Sequence, residues 1–129
     1  MKKLILITTL FCCIGFVFAQ GNEEVTRYYV CSSYSAVNKT YRVANVVKAH
    51  CKNCYDETLT TRVKLQWQDH VKFLMGKENY IRARPVDSAI PFDNYNDAEI
   101  WRKKQLANPF YNSTPIVVRD FTYTPPSED

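Results

Sequence analysis

Five consecutive residues, His50-Cys51-Lys52-Asn53-Cys54, have the types and spacing on which chemistry is most readily built. A C-x-x-C just ahead of a helix lets the helix N-terminus stabilise a thiolate, the species that attacks a disulfide. A helical pattern begins two residues after Cys54, at Asp56. The pair therefore predicts one of two things: thiol–disulfide exchange, or a local structural bridge in an oxidising compartment. Zinc would need four nitrogen or sulfur donors, and His50, Cys51 and Cys54 with Cys31 or His70 make that number. No second paired ligand motif completes the set, so neither a metal nor another cofactor is expected.

Thr114-Pro115 ahead of a strand resembles the proline that faces the redox pair in thioredoxin-like folds. The resemblance ends there. No strand–helix unit precedes the C-x-x-C, and too little chain follows Pro115 for a terminal hairpin and helix. Geometry favours the local bridge. If the first hairpin turns near Val37-Asn38, Tyr34 opposes Tyr41 and Cys31 opposes Ala44. Cys51 then lies some ~20 Å further along at strand spacing. Disulfide Cα atoms must approach within roughly 7 Å, so Cys51–Cys54 is the expected bond and Cys31 a small buried residue.

Other candidates are weaker. Arg82 and Arg84 share the outer face of a predicted strand with Tyr80. With Arg119 on the last strand they would form a cationic–aromatic surface for a carboxylate, phosphate or sugar. A solvated sheet face is the plainer reading, and no nucleic-acid motif accompanies them. His70, on an apolar helix face, reads as a core histidine bonded to a backbone group. Asp93-Asn94-Tyr95-Asn96-Asp97 lacks the alternating ligands and the glycine of an EF-hand and reads as a turn into a helix. Asn38-Lys39-Thr40 and Asn112-Ser113-Thr114 are glycosylation sequons in predicted loops, expected to be unmodified because the twin-lysine start looks bacterial.

The elements that must hold these residues are led by a central helix, Asp56–Gly76. Leu59, Val63, Trp67, Val71 and Leu74 fall on its apolar face, Asp56 can cap it, and Gly76 can end it. Arg62–Gln68 also alternates like a strand, but the helical pattern is far longer. Strands are predicted over Thr26–Tyr34, Tyr41–Ala49, Asn79–Val86 and Pro115–Tyr123. On the second, Tyr41, Val43, Val47 and Ala49 share a face interrupted by Asn45. Asp87–Tyr95 reads as a polar loop. Asn96 with Glu99 caps a second helix, Asp97–Ala107, whose acids precede Arg102, Lys103 and Lys104 as the macrodipole prefers. The order ββαβαβ predicts a small α+β domain, with a mainly antiparallel four-stranded sheet and both helices on one face.

Residues 1–19 read as a signal peptide. Lys2 and Lys3 precede an apolar run, Val17-Phe18-Ala19 ends in the small residue that cleavage needs, and the run is short for a membrane span. The bulky Phe11 before Cys12 argues against lipid processing. The remaining chain, 20–129, is one domain with a frayed Pro125-Pro126 acidic tail. Without Lys2 and Lys3, fifteen of the seventeen basic residues stand against thirteen acidic ones, an ordinary balance. No complete nucleophile–base set or phosphate loop is present. The expectation is a secreted or periplasmic non-catalytic module that binds a protein or small ligand, with thiol–disulfide oxidoreduction through Cys51/Cys54 as the alternative.

Overall fold

β1 (Glu24–Ser35) is the strand around which the sheet is built, and its aromatic and β-branched residues explain why. The computed structural model describes residues 24–108 and 112–127; the expected leader over residues 1–19 lies outside them, as does the end of the tail. Along one edge β1 pairs antiparallel with β2 (Thr40–Ala44) and then β3 (Val47–Lys52). Along the other it pairs antiparallel with β4 (Val86–Phe92). β5 (Thr114–Val118) adds to β2 in parallel. The result is a small α+β domain with a mixed, mainly antiparallel sheet, of five strands where four were expected.

The hairpin register is the predicted one, Tyr34 opposite Tyr41. Beyond it the strand departs from simple alternation. Tyr29 pairs with Val47 and Ser32 with Val43, so three steps along β1 match four along its partner. One extra residue is accommodated at Asn45-Val46, as in a β-bulge. That insertion turns the side chains over. Tyr41 and Val43 pack in one core cluster, whereas Val47, Ala49 and Cys51 pack in the other. The expected common face of Tyr41, Val43, Val47 and Ala49 is thereby corrected.

α1 (Asp56–Met75) matches its prediction closely. Leu59, Val63, Trp67 and Val71 are buried at successive i+4 positions, and Met75, not Leu74, continues the row. They cover Tyr29, Cys31, Ala49 and Cys51. Trp67 Nε1 donates to the Ser32 carbonyl at 2.9 Å, which satisfies the indole within the core. Tyr55, not Asp56, is the N-cap residue and makes no side-chain cap bond. Asp56 instead pairs with Arg27 of β1 at 3.2 Å.

After Gly76 (φ 84°) the chain forms a short helix, α2 (Lys77–Ala83), where a strand over Asn79–Val86 was expected. Seven residues fit either period. Tyr80 and Ala83 turn inward at helical spacing while Ile81 is exposed, which a strand carrying Ile81 and Ala83 on one face would not allow. The strand comes next, in the stretch expected to be a loop. Asp87, Ser88 and Pro91 hide it, because a proline is tolerated where only one neighbour is paired.

α3 (Tyr95–Ala107) starts at Asn94 and not at Asn96. The Asn94 side chain accepts from the Asp97 N–H at 2.8 Å and donates to the Asp97 carboxylate at 3.0 Å. Ala98, Trp101 and Leu106 pack with Tyr28, Val30, Tyr41 and Val43. These alternate along β1 with the residues under α1, so α3 covers the opposite face of the sheet. The two long helices therefore sandwich the sheet, correcting the expectation of one shared face.

Candidate functional site

The Cys51–Cys54 bond closes the turn between β3 and α1, with Cα atoms 6.1 Å apart. Cys51 faces inward from β3 opposite Val25 and is fully buried; Cys54 is partly buried against the same core. Asn53, between them, takes a left-handed conformation (φ 55°), which asparagine tolerates better than most residues. Cys31 is a free, buried thiol, and burial pushes it away from ionisation. Pro115 does not face the pair. It aligns with Tyr41 of β2, opposite Tyr34 near one end of β1, whereas Cys51 of β3 lies opposite Val25 near the other end, some ~30 Å away at strand spacing.

His50 points outward beside Glu24 at 4.0 Å while its neighbour Cys51 points inward, so the two do not converge. His70 stacks on Trp67 and lies tilted against Phe121, and its Nε2 lies 3.1 Å from the exposed carboxylate of Asp120. Its partner is a side chain, not the expected backbone group. Gln66 also exchanges two hydrogen bonds with the Thr124 backbone, at 2.7 and 2.9 Å. The segment after β5, with Phe121 and Tyr123 buried, is strapped to α1 by these contacts.

Tyr80, Arg82, Arg84 and Arg119 are not brought onto one strand face. Tyr80 and Arg82 lie on α2, and Arg84 follows it in a left-handed conformation (φ 47°). Arg119 follows β5, at the sheet edge opposite β4. Tyr80 turns inward and its hydroxyl donates to Asp87 Oδ2. Burial, with the bond to Asp87 and the charges of Asp87 and Asp69, pushes the phenol up from its ordinary value. Lys72 Nζ lies 5.2 Å above its ring.

The Tyr80–Asp87 bond leads to a group of residues that the sequence did not single out. Asp87 is 7% exposed and pairs in register with Ser33, which is 1% exposed. Both project from the α1 face of the sheet, beneath α2. Asp87 Oδ1 and Ser33 Oγ are buried without a hydrogen-bond partner. Two positions along β1, Ser35 is as buried, yet its hydroxyl donates to the Ala83 carbonyl at 2.7 Å and accepts from the Asn38 N–H at 3.1 Å. No ion pair to Asp87 occurs among the described residues. The available signal was serine at two successive inward positions of β1, after Tyr29 and Cys31; with β4 unseen, its partner was not identifiable.

Along α1 and α2 on this side of the sheet, Phe73 is 83% exposed and Leu74 and Ile81 are also exposed, interspersed with exposed Lys72, Lys77, Glu78 and Arg82. No helix among the described residues is long and apolar enough to cross a membrane. No protein-family model, curated protein or solved structure matches the chain.

Proposed function

We propose that the chain is a secreted or periplasmic non-catalytic binding module whose partner engages the corner where α1 turns into α2. The observation that carries this reading is Phe73, an aromatic residue left 83% exposed next to exposed Leu74 near the end of α1, with Ile81 exposed on α2. Exposed large apolar groups concentrated in one region mark interaction sites more often than chance. Helices pack on both sheet faces, which favours the corner over a sheet face as the binding surface. The predicted leader and the Cys51–Cys54 bond, which suits an oxidising compartment, support export. The full burial of Cys51 and the packing of Cys54 against the same core support a role in the fold over thiol–disulfide exchange.

Two measurements test this. Intact mass of the exported protein should begin at Gln20; a product retaining Met1 contradicts export. Replacing Phe73 with photocrosslinking benzoylphenylalanine in the secreting host should give a discrete adduct absent when the same group replaces Lys104. Identical adducts from both positions, or none from 73, contradict the corner as the binding surface.

A further inference from the structure

Asp87 and Ser33 are arranged to receive something the protein itself does not supply. A buried carboxylate is costly unless paired, and a buried hydroxyl without a partner adds to that cost. Asp87 has only the Tyr80 hydroxyl on one oxygen, while Oδ1 and the cross-strand Ser33 Oγ are unpartnered. Asp69 adds negative charge at Tyr80, and Lys72 lies over the Tyr80 ring without an ion pair to Asp87. The cross-strand register and the Tyr80–Asp87 bond thus bring three acceptor atoms into one neighbourhood: Asp87 Oδ1, Ser33 Oγ and the Tyr80 hydroxyl oxygen, whose proton is committed to Asp87. A primary ammonium has three N–H donors and one positive charge.

We propose that the Ser33–Asp87 pair beneath α2 binds a primary ammonium group, carried by a lysine side chain or by a small free amine. The charge would be compensated by Asp87, and the donors would be taken by the three oxygens. Entry requires α2 to move, since Asp87 and Ser33 are covered. The helix is suited to that: it has seven residues and lies between two positive-φ positions, Gly76 and Arg84. The inference rests on the α1–α2 corner being the binding surface, because α2 forms part of both.

The test is a titration of the whole mature protein with methylammonium chloride and, separately, with Nα-acetyl-lysine methylamide, following the Tyr80 ring resonances by NMR. Sodium chloride at equal ionic strength is the control. The expected result is a saturable shift with at least one amine, absent with sodium, together with slowed amide exchange across α2. Tighter binding of the lysine derivative identifies a peptide side chain as the source; equal binding identifies a free amine. Asp87→Asn should weaken the response at least about tenfold, the scale of a lost charge-assisted bond. Ser33→Ala, which removes one acceptor and no existing bond, should weaken it with the fold intact, and it serves if the Asp87 variant does not fold. No saturable shift, or one unchanged in both variants, overturns the proposal. A Phe73 adduct without amine binding removes only the ammonium inference, whereas Asp87-dependent amine binding without the adduct removes only the apolar corner.

Discussion

On one side of the sheet α1 lays five i+4 residues, from Leu59 to Met75, across Tyr29, Cys31, Ala49 and Cys51, with Trp67 at the centre and bonded to Ser32. On the other side α3 contributes one fully buried residue, Ala98, and rests partly exposed Trp101 and Leu106 on Val30, Tyr41 and Val43. The α1 side holds the larger share of buried apolar area, and so of the stability. It also carries the disulfide and the unpartnered Ser33–Asp87 pair. A well-packed region can carry buried polar groups whose cost would unfold a weaker one. The contrast suggests why the candidate site lies under α1 and α2.

The largest expected effect tests that asymmetry. Trp67→Ala removes a fully buried indole and should cost about 3–5 kcal/mol. Trp101→Ala, on the α3 side, should cost roughly half of that or less because the ring is partly exposed. Equal losses in denaturant melts would show that both faces bear the fold alike.

Next comes the bridge at the entry to α1. Cys51→Ser with Cys54→Ser should cost about 1–3 kcal/mol, near the low end for disulfides because the loop is so short. Peptide mapping without reduction should show Cys51 joined to Cys54, and a linkage through Cys31 would contradict the packing described above. Reduction by glutathione with rapid alkylation of a low-pKa thiol would favour the oxidoreductase reading.

A smaller loss is expected on the α3 side. The Arg102 guanidinium bonds to Glu99 at 2.6 and 3.1 Å and holds that carboxyl below its ordinary value. A depressed value means that the contribution is complete above the ordinary glutamate range near ~4.3 and is lost as pH falls through the folded value. Glu99→Gln should therefore lower stability at pH ~7 by about 0.3–0.5 kcal/mol and make no difference once both states are protonated. A pH-independent effect of the substitution would remove the ion pair from the account.

Much of the fold was legible where a long period or a fixed geometry constrained it. The i+4 row specified α1, and the hairpin register followed from its turn. The Cys51–Cys54 bond followed from strand spacing. Legibility failed where seven residues fit two periods, as at Lys77–Ala83, and where an edge strand carried Asp87, Ser88 and Pro91. It failed again at Asn45-Val46, because one inserted residue reversed every later side chain. The candidate site was lost with β4: Ser33 has no meaning until Asp87 is placed opposite it.

The matched serines of β1 test the central claim most directly. Ser33 and Ser35 are both 1% exposed and face the same side, but only Ser35 is hydrogen-bonded. The free energy of unfolding should fall by about 1–3 kcal/mol in Ser35→Ala, which leaves former partners unsatisfied. Ser33→Ala should be unchanged or slightly more stable, because a buried unpaired hydroxyl is removed and no bond is lost. Equal losses in the two variants would mean that Ser33 already has a partner in the folded protein, and that the pair beneath α2 is not held open for a ligand.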